Sequence, residues 1–533
     1  MSFEIRDKDL AGRIGKLVTK SGVLETPAFF PVVNPFRKAD SLSPNEIREV
    51  GFKQLITNSF IIQQKLGEKA DEVHRLLGFD GIVMTDSGAY QLLMYGGERI
   101  KIDPIKIVEY QSRLDSDIAV IADIPTRSDS TYKEALESVR ETLHRAKLVA
   151  GFIQESTIKQ GIVWVLPIQG GVYKDLVALS AERSRRIPGY GMYAIGSPVT
   201  VLEKYEFWRI VDMVATAKMR LPPDKPVHLF GGGHPLIIPL MIALGIDSFD
   251  SASYILYARD GRYLTEHRTY RIEELDYLPC ECPVCSRFTA EELRSLDAGE
   301  RTRLIAKHNL YVIKREINRA KQAIREGRLW ELIEERARTH PSVREALTHA
   351  IKYISWIEKL DPTIKGRAKG VFLYDETSYY RPELIRHRKR VNSFVERRLG
   401  SSSIKYVVIV PGDPAVKPLH DSKLFKESLK SVRKLGVELS KVIVLIYLPF
   451  FNIIPYDVDQ TYPYSQFEMP VDRLTLSEIY RRLCLSLSSV IRKALRSGKE
   501  VVLVRSREVK EFCPKVTTLC NVLEKGLKCI DAP

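Results

Sequence analysis

Two aspartates in this sequence have surroundings suited to chemistry on a sugar. Asp86 lies in Met84-Thr85-Asp86-Ser87-Gly88-Ala89-Tyr90-Gln91, and Asp250 in Asp247-Ser248-Phe249-Asp250-Ser251-Ala252-Ser253-Tyr254. Carboxylates on either side of a glycosidic bond supply the nucleophile and the general acid/base of retaining glycosyl transfer. The residue types leave open which of the two attacks. Asp123, in Ala122-Asp123-Ile124-Pro125-Thr126, is a third carboxylate, suited to accept hydrogen bonds from an amino group and a ring N–H. Tyr90 and Phe230 offer aromatic faces for a planar base. The run Gly231-Gly232-Gly233-His234-Pro235 reads either as close backbone approach to a ligand or as a turn, and His228 reads as a satisfied core histidine.

A second constellation is Cys280-Glu281-Cys282-Pro283-Val284-Cys285 followed by His308. Three thiolates and one imidazole make a closed tetrahedral shell, the pattern of one structural zinc ion with no open position for water. His234 and His267 compete with His308 for the fourth place. Cys484, Cys513, Cys520 and Cys529 match no metal spacing and read as core or surface thiols.

These residues need elements to hold them. The first 270 residues alternate short apolar runs with helix-like stretches, the βα pattern of a parallel sheet. Strands are predicted at Lys53–Thr57, Gly81–Thr85, Ile118–Ala122, Val163–Ile168, Tyr193–Ile195, Val227–Phe230 and Asp247–Phe249, with room for an eighth. The residues that follow them, Asn58, Asp86, Asp123, Gln169, Gly196, Gly231 and Asp250, are polar or glycine. In a (β/α)8 TIM barrel such ends meet on one face, which carries the active site. Each alone is only a strand terminator; three aspartates at the same end of different strands point to a site. The fold class predicted is therefore α/β: a (β/α)8 barrel with a zinc-binding insertion at about 276–310, followed by a smaller C-terminal α/β region.

Residues 300–360 read as packing helices rich in alternating charge, and Asp361-Pro362-Thr363-Ile364-Lys365-Gly366 reads as the boundary between a domain over 1–360 and one over 361–533. In the second, Tyr406–Val410, Val442–Tyr447 and Val501–Val504 read as strands, with helices around 426–435 and 474–497. Arg386-His387-Arg388-Lys389-Arg390 reads as a solvated helix face or a phosphate contact.

Composition bounds the partners. The chain has 533 residues, 44% hydrophobic and 28% charged, which excludes both a disordered chain and a single core. Seven cysteines in this length exclude a disulfide scaffold and suit a reducing cytoplasm. No apolar run approaches the about 18 residues of a membrane span, and the start of the chain lacks a signal-peptide core, so a cytoplasmic protein without a membrane partner is expected. A net charge of +15 favours a polyanion such as nucleic acid.

Thr85-Asp86-Ser87-Gly88, Ala122-Asp123-Ile124-Pro125-Thr126, Pro167-Ile168-Gln169-Gly170-Gly171, Tyr193-Ala194-Ile195-Gly196, Phe249-Asp250-Ser251-Ala252-Ser253-Tyr254 and the cysteine cluster with His308 resemble the tRNA-guanine transglycosylase family, in its archaeal, archaeosine-forming branch. The resemblance covers residues 1–360, and Tyr379-Tyr380-Arg381-Pro382-Glu383 and Ile454-Pro455-Tyr456-Asp457 extend it into the C-terminal region. It implies exchange of guanine at position 15 of the tRNA D-loop for 7-cyano-7-deazaguanine (preQ0) through a covalent enzyme–ribose intermediate. It assigns attack to Asp250 and general acid/base work to Asp86. Asp123, Gln169 and the backbone of Ala194, Ile195 and Gly196 would read the base, and Tyr90 and Phe230 would stack on it. It further implies a homodimer, with preQ0 and guanine as small-molecule substrate and product.

The sequence departs from the family at Ser197-Pro198 after Gly196, and residues 510–533 do not resemble the RNA-binding PUA domain of archaeal members. Grip on tRNA is then expected from the second domain, the basic run or a separate RNA-binding chain. Three readings compete with base exchange. A catalytically silent tRNA-binding subunit and an archaeosine synthase-like paralogue are disfavoured by the intact carboxylate pair. A barrel glycoside hydrolase is disfavoured by the planar-base pocket, the +15 charge and the zinc cluster.

Overall fold

The computed structural model describes residues 3–36, 39–89, 103–155, 158–368, 370–521 and 526–533. The chain divides into two compact units, Met1–Pro362 and Thr363–Pro533.

The first unit opens with an antiparallel sheet of β1 (Phe3–Asp9), β2 (Gly12–Thr19) and β3 (Gly22–Thr26), which the sequence patterning did not announce. Eight parallel strands follow: β4 (Ala28–Pro31), β5 (Gln54–Asn58), β6 (Ile82–Asp86), β7 (Ile118–Val120), β8 (Val163–Ile168), β9 (Met192–Ile195), β10 (Val227–Leu229) and β11 (Ser248–Ser251). β4 is the eighth strand; it pairs with β11 and approaches β5 through a parallel bridge from Val32 to Ile56, with Val33 N–H donating to Ile56 O at 2.8 Å. That contact brings the two edges of the sheet together as a nearly closed barrel.

Strands such as β8, Val-Trp-Val-Leu-Pro-Ile, are buried at every position because a parallel sheet is covered on both faces. Alternate residues point inward: Ala28 and Phe30, Ile82 and Met84, Ile118 and Val120, Val163 and Val165, Met192 and Ala194 form one apolar cluster. Leu17 of β2 and Leu24 of β3 join it, so the N-terminal sheet fills the end of the barrel at which the strands begin. Arg13 reinforces that end by pairing through two nitrogens with buried Asp247, at 2.7 and 2.8 Å. The opposite mouth, where the strands end, carries the polar residues.

Beyond the barrel, β12 (Arg262–Leu264) and β13 (Thr269–Arg271) form a hairpin, then a loop carries the cysteine cluster into the helix Ala298–Glu326. Helices Leu329–Ala337, Pro341–Ala350 and Ile354–Leu360 complete the unit.

In the second unit, β14 (Val371–Phe372) pairs in parallel with the later β18. A five-stranded sheet is built from β15 (Tyr406–Pro411), β16 (Val442–Leu448), β17 (Asn452–Pro455), β19 (Glu500–Arg505) and β20 (Leu527–Asp531), with β18 (Phe467–Glu468) outside it. Its order is β17-β16-β15-β19-β20, parallel except for β17.

Two expectations are corrected here. The four C-terminal cysteines are not free thiols: Cys484 pairs with Cys513 and Cys520 with Cys529 as disulfides, which brings together residues 29 and 9 apart in sequence. The basic run is not wholly a solvated face. His387 is buried between Tyr464 OH and Phe451 O, and Arg388 donates to Phe450 O at 3.1 Å and Tyr379 O at 2.6 Å. Lys389 and Arg390 are exposed. The helix Pro382–Leu399 must bury one stripe, and residues three and four apart from Leu384 and Val391 fall on it whatever their charge.

Candidate active site and metal centre

Every polar residue predicted at a strand end lies at the same mouth of the barrel. Asn58 and Asp86 are the last residues of β5 and β6, Gln169 and Gly196 directly follow β8 and β9, and Asp250 is the third residue of β11. Asp123 and Gly231 sit in the turns after β7 and β10.

Asp86 Oδ2 accepts from Asn58 Nδ2 at 3.3 Å and from the Gly88 N–H at 3.2 Å. Gly88 has φ +87°, and a Cβ there would stand 2.3 Å from Phe60 Cβ, so this tight turn needs glycine. Asp250 Oδ1 accepts from the Gly231 N–H at 2.8 Å and from His228 Nε2 at 3.0 Å. Gly231, at φ +64°, turns its N–H onto the carboxylate, and its Cβ would collide with Val199. Asp123 Oδ2 accepts from Gln169 Nε2 at 2.5 Å, while Gln169 Oε1 accepts from Thr126 N–H at 3.0 Å and Ser197 Oγ at 3.2 Å.

Asp86 feels the other two carboxylates. Burial pushes Asp86 up to about 7, with the negative charge of Asp123 and then that of Asp250 adding to the rise. Burial likewise lifts Asp123 to about 6, against the hydrogen bond from Gln169 that favours its charged form. Asp86 thus titrates near neutrality, the range in which one group serves as both acid and base.

The remaining predicted residues are distributed as follows. Ala194 packs in the barrel interior, and the Ile195 carbonyl accepts from Phe230 N–H at 3.3 Å. Gly196 faces Gln169: a Cβ on it would be 2.2 Å from Gln169 Nε2. Phe230 is half-buried and lies edge-on to His228, with ring centroids 4.9 Å apart. Tyr90 lies outside the described residues. Ser197, where the sequence departs from the family, has φ +63° and uses its hydroxyl to hold Gln169.

By its sequence His228 reads as a core histidine. It is fully buried, yet β10 pairs with β11 so that His228 stands opposite Ser248, and its ring reaches both Ser248 Oγ (Nδ1, 2.9 Å) and Asp250. The signal available was a histidine inside an apolar strand directly before the glycine run. Its partner two residues past Ser248 on the next strand was invisible without register.

Cys280, Cys282, Cys285 and His308 place one donor atom each within 4.8 Å of one another. Cys282 and Cys285 Sγ are 3.5 Å apart and both approach His308 Nδ1, at 3.5 and 3.3 Å. Sulfurs bound at about 2.3 Å to one tetrahedral ion would stand roughly 3.7 Å apart, so the cluster fits a metal ion with little adjustment. His308 Nε2 bonds the Leu264 carbonyl at 2.8 Å, which fixes the tautomer with Nδ1 free to ligate. Tyr263 stacks on the His308 ring at 3.6 Å and bonds Cys285 Sγ at 3.1 Å, tying the cluster to β12. The centre staples the cysteine loop to the helix Ala298–Glu326.

Residues 8–342 match the family model described as Queuine tRNA-ribosyltransferase. A tRNA-guanine(15) transglycosylase of Sulfolobus acidocaldarius is 45% identical over 483 residues, 90% of this chain and 92% of the relative. The protein of that name from Aeropyrum pernix is 46% identical over 524 residues, 98% and 96% of the two chains, and that from Saccharolobus solfataricus 46% over 470 residues, 88% and 90%. Among the described residues no helix is long and apolar enough to cross a membrane.

Proposed function

This chain belongs to the queuine tRNA-ribosyltransferase family, and from that and its barrel mouth we infer that it exchanges guanine 15 of tRNA for 7-cyano-7-deazaguanine. It is a transglycosylase that modifies tRNA. The observation that most supports the detailed reading is the convergence of Asp86, Asp123 and Asp250 at the ends of three strands on one mouth, each held by hydrogen bonds from the neighbouring turns.

Asp250 is the nucleophile. Donors from Gly231 and His228 both fall on Oδ1, which holds the carboxylate in one orientation and leaves Oδ2 to attack the anomeric carbon. Asp86, held protonated near neutrality, gives its proton to the departing guanine while the Asp250–ribose ester forms. The incoming base then attacks the same carbon, Asp86 takes back a proton from its ring nitrogen, and the Asp250 carboxylate leaves. Two displacements retain configuration, and the ester keeps the glycosidic bond energy, so no nucleotide triphosphate is consumed.

Asp123 and Gln169 read the base edge, with Gly196 allowing close approach and Phe230 supplying an aromatic face; Tyr90 is the second stacking residue on the family resemblance. Zinc is the metal the three thiolates and imidazole suit, in a structural role. The working unit is taken as a cytoplasmic homodimer, on the resemblance alone.

The test is release of labelled guanine from position 15 of an unmodified tRNA transcript. Release that depends on preQ0, with preQ0 recovered in the RNA and a denaturation-resistant protein–RNA adduct lost in Asp250→Asn, is the expected result. Tight tRNA binding with no release would overturn base exchange in favour of a supporting subunit.

A further inference from the structure

The net charge of the chain is concentrated rather than spread. In the second unit the helices Pro382–Leu399 and Arg473–Arg496, 18 and 24 residues long, contain twelve Lys and Arg against three Glu. Nine of the fifteen net charges therefore sit on two helices. The helices are neighbours: Lys493 Nζ of one pairs with Glu396 of the other at 2.6 Å.

The three acids offset only part of this surface. Glu383 is buried and bound to Lys365 at 2.8 Å, with Arg381 3.6 Å away. Glu396 is taken by Lys493, and Glu478 by Arg481 at 3.1 Å. Lys389, Arg390, Arg397 and Arg398 stay exposed on one helix, and Arg481, Arg492 and Arg496 on the other.

Where the helices meet, two guanidiniums converge on one ring. Arg388 lies 3.9 Å and Arg482 4.9 Å from the centre of Tyr379, and Arg482 also donates to Tyr380 OH at 2.9 Å. Burial, followed by the charge of Arg482, lowers Arg388 to about 10 while the nearby tyrosines oppose the fall. Two arginines stacked on tyrosines, with carbonyl and hydroxyl partners, brace the junction of the two basic helices.

We propose that this two-helix face is a tRNA-binding surface, in which the exposed Lys and Arg contact backbone phosphates outside the reacting nucleotide. The proposal rests on tRNA being the substrate, but not on the base-exchange chemistry. A polyphosphate of regular spacing suits a spread of cations along two helices better than any single small anion would. It would supply sequence-independent grip from a unit that holds none of the carboxylates of the barrel mouth.

The test measures binding of the full-length protein to an unmodified tRNA transcript, without preQ0, at several salt concentrations. The variant carries Lys389→Gln, Arg390→Gln, Arg397→Gln and Arg398→Gln. A control with Lys423→Gln, Lys426→Gln, Lys430→Gln and Lys434→Gln removes the same charge from the helix Lys423–Arg433 of the same unit and its C-terminal cap. Each lost phosphate contact lowers the slope of log K against log salt by about 0.7–0.9. The first variant should lose two or more such units and bind at least tenfold more weakly, with unchanged melting temperature, while the control keeps the wild-type slope.

An unchanged slope, or an equal fall in the control, would overturn the surface. So would wild-type binding to vesicles containing anionic phospholipid that exceeds binding to tRNA at the same salt and is lost in the first variant, because the face would then be a lipid one. Failure of base exchange in an otherwise tRNA-binding wild type would sink the catalytic reading and leave this one standing.

Discussion

His228 Nε2 lies 3.0 Å from Asp250 Oδ1, and its Nδ1 lies 2.9 Å from Ser248 Oγ. A fully buried imidazole thus bridges the carboxylate assigned as nucleophile and a serine two residues before it on the same strand. The carboxylate only accepts, so it selects the tautomer with the proton on Nε2, and Ser248 Oγ donates to the bare Nδ1; the ring in turn orients the carboxylate.

Loss of that donor should cost catalysis rather than folding. A hydrogen bond to a charged group contributes about 1.5–3 kcal/mol, so His228→Ala should lower kcat roughly ten- to a hundredfold with little change in tRNA KM. His228→Gln, which retains a donor, should recover part of it. Equal kcat in wild type and His228→Ala, measured by single-turnover guanine release, would remove His228 from the site.

The pH dependence follows from Asp86, whose carboxyl is lifted to about 7. The protonated form delivers the proton to the leaving guanine, so release should slow about tenfold per pH unit above that value. A raised acid also contributes stability that is full below the unfolded value of 3.8 and is lost as pH rises through about 7. Asp86→Asn should therefore lose less melting temperature than wild type across that window, while showing almost no guanine release. A release rate flat to high pH would reassign the acid.

Gly196→Ala tests the base-reading wall. Its Cβ would stand 2.2 Å from Gln169 Nε2, so Gln169 must swing off Asp123. The incoming base should show a KM raised about tenfold, the equivalent of one hydrogen bond to a charged group, with the tRNA KM unchanged. An unaltered KM for the base would separate Gln169 from recognition.

Metal analysis should find one zinc ion per chain, lost in His308→Ala or after chelation. The closed donor shell predicts a fall in melting temperature; with an unfolding entropy of about 2.1 cal/mol/K per residue, a loss of about 3 kcal/mol would move the unit Met1–Pro362 by roughly 4 °C. Full stability without metal would reassign the cluster to ordinary thiols.

Much of the site is legible because it is local. The polar residues at the ends of β5, β6, β8, β9 and β11 interrupt apolar runs, and the βα period alone says that such ends share a face. β4 and the N-terminal sheet carry a weaker local signal. Ala28–Pro31 has only four residues, and β1 to β3 are joined by turns too short to separate them into distinct periods. Arg388 shows the same limit in reverse, since five basic residues in a row say nothing about which of them a helix turns inward.

By itself the sequence determined the barrel alternation, the three carboxylates and a thiolate triplet, because each is a matter of residue type within a few positions. The tertiary structure decided what depends on pairing between distant segments. Val32 meets Ile56 and brings the barrel edges together, and His228 stands opposite Ser248 and so reaches Asp250. Helix Ala298–Glu326 brings His308, rather than His234 or His267, to the three sulfurs. Cys484 and Cys520 find Cys513 and Cys529. Strand register and helix packing carry that information, and neither is written in the spacing of any one segment.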